Sequence, residues 1–165
     1  MIRAAIITIS DSASEGTRED RSGAALAGRV LELGWTMVDR RIVPDEVENI
    51  RAVISALGNS GEIDVILSTG GTGISHRDVT PEALRAIADR EIPGFGEVMR
   101  SEGRQTTHMA ALSRSSAYSL ASTLIVTLPG SPKGAIDSLN AVADLIPHAV
   151  NLLHGQTEHH AKEPK

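Results

Sequence analysis

The segment of this chain best suited to chemistry is glycine-rich and spans residues 68–80, STGGTGISHRDVT. It directly follows an apolar run at 65–67, which is typical of a buried strand. Its glycines let the backbone approach a ligand without interference from a Cβ atom, and they leave amide N–H groups free to point at an anion. Thr80 and Pro81 then predict a helix start, with Thr80 as the N-cap. Strand, glycine turn and helix together indicate a phosphate cradle.

The segment matches neither of the two standard phosphate cradles. A P-loop requires Lys followed by Ser or Thr after its last glycine, whereas Gly73 is followed by Ile74. A dinucleotide fingerprint would need a glycine where His76 stands. A tight turn at a sheet edge is the alternative interpretation. Arg77 and Asp78 favour a functional one, because a cation and a carboxylate beside a glycine turn suit a phosphate with its Mg²⁺.

Length and composition indicate one domain over residues 1–155, followed by a polar tail at 156–165. The chain has 165 residues, of which 41% are apolar, so it can bury a core of its own. Aromatic residues make up only 2%, which favours an Ile, Val, Leu and Ala core of the kind found in parallel sheets. The scarcity of aromatic stacking platforms and the net charge of −5 argue against a nucleic-acid-binding surface.

The chain has no cysteine, which excludes disulfides, thiolate zinc sites and cysteine nucleophiles. Its first apolar run is too short for a secretory signal or a membrane span. We therefore expect a cytoplasmic protein that does not associate with a membrane.

Strand and helix patterns alternate along the chain. Strands are predicted at 4–9, 35–43, 64–68, 118–120 and 123–128, the last two forming a hairpin. Predicted helices run from Ser22 to Gly34, from Asp45 to 57, over 80–89, from the residues after a Pro93-Gly94 break into 102, and from Ser131 to Gly155 with a kink or interruption near Pro147. This order predicts an α/β fold with a mainly parallel sheet and one antiparallel strand.

In such a sheet the ligand crevice lies beyond the carboxyl ends of the strands. Four polar loops are predicted to meet there, at 10–21, 44–45, 70–78 and 129–133. They contain two candidate Mg²⁺ ligands, Asp45 and Asp78, and a cation, Lys133. Each aspartate also has a plainer interpretation, since Asp45 suits a helix N-cap and Asp78 a turn. The combination favours phosphoryl or nucleotidyl transfer.

The sequence resembles the molybdopterin adenylyltransferases of molybdenum cofactor biosynthesis, the family that includes the G domain of gephyrin. The resemblance runs from residue 4 to 154 through six ordered blocks: ITISDSASEGTREDRSG (7–23), VPDEVENI (43–50), STGGTGISHRDVTPEAL (68–84), EIPGFGEVMRSEG (91–103), LSRSSA (112–117) and LPGSPKGAIDSL (128–139). The four-residue GGTG motif alone is weak evidence, whereas this ordered set is highly specific.

That resemblance implies a three-layer α/β/α domain, commonly a homotrimer. It also implies Mg²⁺-dependent transfer of AMP from ATP to the terminal phosphate of molybdopterin, with release of pyrophosphate. Hand-over of the product to a molybdate-insertion enzyme is expected to follow. The alternatives are a catalytically silent pterin- or nucleotide-binding scaffold of the same pathway and, less favoured, a general nucleotide hydrolase.

The resemblance also assigns roles to individual positions. It makes Asp45 and Asp78 the catalytic and metal-binding residues. It places the nucleotide at eight residues: Gly70, Gly71, Thr72, Gly73, Pro129, Gly130, Ser131 and Pro132. The predicted pterin-phosphate contacts are Ser12, Ser14, Ser113, Arg114 and Lys133. Arg77 is also predicted to bind substrate, with Arg77, Arg114 or Lys133 neutralising phosphate charge.

Overall fold

The computed structural model describes residues 1–156 and contains one six-stranded sheet in the order β2-β1-β3-β6-β5-β4. The predicted tail therefore lies outside the described residues, except for Gln156. The strands are β1 (Arg3–Ile9), β2 (Thr36–Val43), β3 (Val65–Thr69), β4 (Arg90–Ile92), β5 (Ala117–Leu120) and β6 (Thr123–Leu128).

The sheet is mainly parallel, as predicted. Strands β2, β1, β3 and β6 are parallel neighbours, and β5 runs antiparallel to both β6 and β4. The predicted hairpin at 118–128 is confirmed and supplies the antiparallel strand. Strand β4 was not predicted, because three residues beginning Arg90-Glu91 are too short and too polar to show a strand pattern.

Helices cover both faces of the sheet. They are α1 (Asp11–Ser14), α2 (Arg21–Glu32), α3 (Val47–Gly58), α4 (Thr80–Arg85), α5 (Pro93–Thr106), α6 (Pro132–Val142) and α7 (Leu145–Leu153), with a 3-10 helix at His108–Leu112 between α5 and β5. One core joins the sheet to α2, α5, α6 and α7, and a second joins its other face to α3 and α4. The three-layer α/β/α architecture is confirmed.

Buried side chains alternate between the two cores along the central strands. In β1, Ala4 and Ile6 face the first core, whereas Ala5, Ile7 and Ile9 face the second. Burial of apolar surface stabilises a fold by about 25 cal/mol per Å², so burial on both faces favours a rigid central sheet. The loops that follow β1, β3 and β6 therefore leave a fixed frame at one edge.

Three predicted helix caps are wrong. Asp20 caps α2 in place of Ser22, accepting a hydrogen bond from the Gly23 amide at 2.8 Å. Glu46 takes the N-cap position of α3 in place of Asp45, and its side chain makes no capping hydrogen bond within residues 1–156. Val79 precedes α4, so Thr80 is its first residue and donates its hydroxyl to the Gly70 carbonyl at 3.0 Å. The side chains of Asp45 and Thr80 make tertiary hydrogen bonds, to Asp11 and Gly70, in place of local capping.

Helix ends follow the predicted breakers more closely. Gly34 and Gly155 take positive φ angles of 73° and 77° just beyond α2 and α7. The predicted interruption of the last helix lies at 143–144, which leaves Pro147 in the first turn of α7. Helix α4 is shorter than predicted because β4 follows it, and α5 extends one turn beyond its predicted end. The predicted break at 93–94 is wrong, because α5 begins at Pro93, and proline is well accommodated in the first turn of a helix.

Candidate functional site

Two clefts of about 580 and 490 Å³ lie at the carboxyl edge of the sheet, where the four polar loops were predicted to meet. A ridge of four residues lines both: Gly71, Asp78, Gly130 and Ser131. The larger cleft, which we call the apolar cleft, carries Ile74, Met99, Met109 and Leu112 on its walls. The smaller, or polar, cleft is lined by charged residues that include Arg18, Asp20 and Asp45.

Close packing of the glycine turn brings these loops together. Gly70 has φ +104°, and an added Cβ would lie 2.1 Å from the Ile9 carbonyl oxygen. Gly71 has φ +65°, and its Cβ would lie 2.3 Å from Thr80 Oγ1. A Cβ on Gly130 would lie 3.4 Å from the Gly70 Cα atom. The glycines thus let the loops after β1, β3 and β6 touch through their backbones.

The turn presents a run of free amides. Within residues 1–156, no acceptor takes the N–H groups of Gly71, Thr72, Gly73 or Ile74. The next amide, that of Ser75, donates to Asp78 Oδ2 at 2.8 Å. Consecutive unpartnered amides beside a cleft provide donors for an anionic ligand such as a phosphate.

Asp45 is held by a reciprocal pair of hydrogen bonds to Asp11. The Asp11 amide donates to Asp45 Oδ2 at 2.8 Å, and the Asp45 amide donates to Asp11 Oδ1 at 2.9 Å. Burial raises the pKa of Asp45, and the negative charges of Asp11 and Asp78 add to that shift. The Asp11 amide and Arg77 oppose it without cancelling it. Asp45 is therefore a carboxylate whose environment would favour a nearby cation.

The two aspartates suit a magnesium ion that is shared with a substrate. Asp78 packs against Gly73, and each carboxylate uses Oδ2 for a backbone amide while its Oδ1 takes no hydrogen bond within residues 1–156. The same part of the chain contains no group of three or more His, Asp or Glu residues able to hold a metal. Magnesium commonly binds one or two carboxylates and completes its shell with water and substrate phosphates. The donor set fits that pattern.

The predicted cations are already engaged by protein partners. Arg77 donates to Asp11 Oδ1 and Oδ2 and to Glu46 Oε1, each at 3.0 Å. Lys133 pairs with Asp137 one turn along α6 and lines the apolar cleft. The Arg114 guanidinium contacts backbone carbonyls of the glycine segment.

Two of the predicted hydroxyl residues, Ser113 and Ser131, line the clefts, whereas Ser12 and Ser14 do not. Ser113 lines the apolar cleft and donates its hydroxyl to Ser115 Oγ at 2.9 Å. Ser131 caps α6 by accepting the Gly134 amide at 3.1 Å. Ser12 Oγ lies 3.3 Å from Ser10 Oγ, and Ser14 donates to the Asp11 carbonyl at 2.8 Å.

The structure thus brings most of the predicted site residues together. The clefts are lined by twelve of them: Asp45, Asp78, Gly70, Gly71, Thr72, Gly73, Pro129, Gly130, Ser131, Pro132, Ser113 and Lys133. Ser12, Ser14, Arg77 and Arg114 are not among the lining residues. Their predicted roles in binding or catalysis, like those of the twelve, stay predictions.

Two aspartates that hold the site in place were not predicted from the sequence. Asp11 was not among the predicted site residues, yet it holds Asp45 through two hydrogen bonds. The side chain of Asp20 is only 5% exposed and accepts hydrogen bonds from Thr8 Oγ1 at 2.9 Å and Arg40 Nη2 at 2.6 Å. No short-range sequence signal relates these partners, because they come together only through the pairing of β1 with β2.

The family of this chain is identified by a family model that matches most of its residues. The family model described as "probable molybdopterin binding domain" matches residues 5–148. The chain belongs to this family. The resemblance inferred from the sequence blocks is therefore confirmed.

Relatives and solved structures of the family are similar over nearly the full chain. Molybdopterin adenylyltransferase of Helicobacter pylori strain J99 is 37% identical, covering 93% of this chain and 89% of that protein. The molybdenum cofactor biosynthesis bifunctional protein of Synechococcus elongatus is also 37% identical, but the match spans only 47% of its length. The crystal structure of the molybdopterin biosynthesis enzyme MoaB from Thermus thermophilus aligns with a TM-score of 0.88 and 43% identity, covering 94% of this chain and 98% of that one.

Over residues 1–156, none of the helices combines the length and apolar character needed to cross a membrane.

Proposed function

We propose that this family member is a molybdopterin adenylyltransferase, which transfers AMP from ATP to the terminal phosphate of molybdopterin and releases pyrophosphate. The observation that supports this most strongly is the pair of clefts joined by one ridge, because a transfer between two bound molecules needs two sites that meet at the reacting phosphates. Relatives with that activity in their names are 35–37% identical over 93% of this chain.

The reaction suits a site built for positioning. A terminal phosphate oxygen of the pterin attacks the α-phosphorus of ATP, forming one P–O bond. The bond from that phosphorus to the bridging oxygen of the β-phosphate breaks, and pyrophosphate leaves with the electron pair. Since the attacking oxygen is already anionic, the main requirements are alignment of two polyanions and stabilisation of charge on the leaving group.

Each part of the site has a matching role in this proposal. The free amides from Gly71 to Ile74 donate to phosphate oxygens, and Arg18 and Lys133 supply positive charge, one in each cleft. The apolar walls around Met99, Met109 and Leu112 suit a flat heterocyclic ring. Asp45 and Asp78 would hold Mg²⁺, which when bound neutralises phosphate charge.

The quaternary and cellular context belongs to the same proposal. We infer a homotrimer from the family resemblance. Edge strand β2 exposes Met37, Val38 and Ile42, an apolar surface suited to contact with a second copy of the chain. The adenylylated product would pass to a molybdate-insertion enzyme in the cytoplasm. Light scattering that gives the mass of one or two subunits would contradict the trimer without affecting the proposed chemistry.

The test is an incubation of the purified protein with Mg-ATP and molybdopterin, following pyrophosphate and adenylylated pterin in the same samples. Formation of both products in equal amounts, dependent on pterin, supports the proposal. Pterin binding without product, under conditions in which the Helicobacter pylori relative is active, would move the chain to the class of silent binding scaffolds. Pyrophosphate release from ATP without pterin would instead indicate a hydrolase.

A further inference from the structure

Arg114 contacts the glycine segment through its backbone and its side chain. Its amide donates to the Thr72 carbonyl at 2.8 Å, Nε donates to the Gly73 carbonyl at 2.7 Å, and Nη2 donates to the Asp78 carbonyl at 2.6 Å. Nη1 pairs with the carboxylate of Glu82 in α4. One planar guanidinium thus spans the glycine turn, the backbone of Asp78 and the helix that follows.

These contacts dictate which way the turn's amides face. In a trans peptide, the C=O and the following N–H point to opposite sides of the chain. With the Thr72 and Gly73 carbonyls directed at Arg114, the amides of Gly73 and Ile74 are directed away from it. Both of these residues line the apolar cleft, and neither amide has an acceptor within residues 1–156.

Glu82 keeps the guanidinium in place from the far side. Burial by itself would raise the pKa of Glu82, but the hydrogen bond and positive charge of Arg114 outweigh it, so the pKa is lowered. The carboxylate therefore stays ionised at neutral pH. The Arg114 side chain is 32% exposed and does not line either cleft.

We propose that Arg114 is a positioning residue: it holds the carbonyl side of the glycine turn so that the amide side faces the apolar cleft, and it does not bind substrate itself. This differs from the predicted role of Arg114 as a pterin-phosphate contact. The kinetic part of the test depends on the proposed function, whereas the structural part does not.

The structural part is hydrogen exchange in the ligand-free protein. The amides of Ser75 and Thr80 donate to Asp78 Oδ2 and the Gly71 carbonyl, so they report whether the turn is closed. In Arg114→Lys and Arg114→Ala, both amides should exchange at least about tenfold faster, since a single ammonium cannot span three acceptors. Glu82→Gln should give a smaller acceleration. The control is Arg85→Lys. Arg85 lies in α4, as Glu82 does, but it pairs with Glu91.

The kinetic part separates positioning from binding. A positioning role predicts that Arg114→Lys lowers kcat by about 10²-fold while KM for each substrate changes by less than about threefold. A raised KM with unchanged kcat in Arg114→Ala, restored by Arg114→Lys, would show direct phosphate binding and overturn the proposal. Unchanged exchange of Ser75 and Thr80 in both Arg114 variants would overturn it as well. An inactive wild-type protein would refute the adenylyltransferase, and the exchange result would still decide the role of Arg114.

Discussion

Two aspartates at opposite edges of the sheet occupy contrasting environments. Asp64 lies just before β3 at the amino edge, and its side chain is 7% exposed. Its carboxylate accepts hydrogen bonds from the Arg3 amide at 2.7 Å, Arg3 Nη2 at 2.7 Å and Arg3 Nε at 3.2 Å. His154 Nε2 also lies 3.5 Å from Asp64 Oδ1. Asp45, at the carboxyl edge, accepts one backbone amide and lies near the negative charges of Asp11 and Asp78.

The pKa values of the two carboxyls shift in opposite directions. Burial alone would raise the pKa of Asp64, but the hydrogen bonds and charge of Arg3 outweigh burial and lower it. Burial and neighbouring carboxylates raise the pKa of Asp45. The amino edge therefore contains a carboxylate that stabilises the fold. The carboxyl edge contains one whose charge is incompletely compensated by the protein, as is common at functional sites.

The largest expected effect lies at the carboxyl edge, on the rate of transfer. Asp78→Asn should keep the fold and lower adenylyl transfer by at least about 10²–10³-fold, because a well-placed electrostatic group is lost. The matched control is Asp144→Asn, which removes an exposed carboxylate at the start of α7 that lines neither cleft. Steady-state kinetics, with circular dichroism to verify folding, would measure both. Wild-type turnover in folded Asp78→Asn would show that Asp78 has no role in the transfer reaction.

Crowding at the carboxyl edge predicts the next effect, on stability. Gly70→Ala should lower the free energy of unfolding by about 3 kcal/mol, because the added Cβ meets the Ile9 carbonyl and the residue has a positive φ. Gly28→Ala is the control: it lies inside α2 with open space around it and should stabilise the protein by about 1 kcal/mol. Urea denaturation would measure both, and equal effects would show that the glycine turn is not tightly packed.

At the amino edge, Asp64→Asn should lower the free energy of unfolding by about 2 kcal/mol at pH 7, since it weakens hydrogen bonds to a charged partner. A lowered folded pKa means that ionised Asp64 stabilises the protein above its unfolded pKa, and this contribution is lost as pH falls through the folded value. The difference from wild type should therefore be full above about pH 4 and shrink below it. A difference independent of pH would contradict the stated origin of the shift.

Asp45→Asn should have the smallest effect on stability and the opposite sign. Because the folded pKa of Asp45 is raised, its ionised form destabilises the native state at neutral pH, and protonation relieves this as pH falls through the folded value. The variant should melt at a higher temperature than wild type at pH 7, and this gain should fade toward about pH 4. Thermal melts across that range would measure it. A lower melting temperature at pH 7 would show that Asp45 stabilises the fold.

The frame of the molecule could be predicted because its signals are local. The apolar run of each central strand and the glycines at 34 and 155 specify strand cores and helix ends without reference to distant residues. Since parallel strands share a carboxyl edge, the meeting of the four loops follows from that alternation. Strand β4 escaped prediction because its stability comes from pairing with β5, not from its own sequence.

The partners of polar side chains in the site could not be predicted in the same way. Asp45 was predicted as a helix cap, which its position after Pro44 favours, but its carboxylate contacts Asp11, 34 residues away. Arg114 contacts carbonyls 36 and 41 residues away. Such contacts depend on how loops from different strands pack, and residue type alone does not specify them.

The most direct test of the contrast between the edges is a paired assay of Asp45→Asn and Asp64→Asn with Mg-ATP and molybdopterin, well below the melting temperature of either variant. Pyrophosphate and adenylylated pterin would be followed together. We predict that Asp45→Asn loses transfer by at least about 10²-fold although it is the more stable protein, and that Asp64→Asn turns over at close to the wild-type rate. Full activity in Asp45→Asn would contradict the assignment of the chemistry to the carboxyl edge.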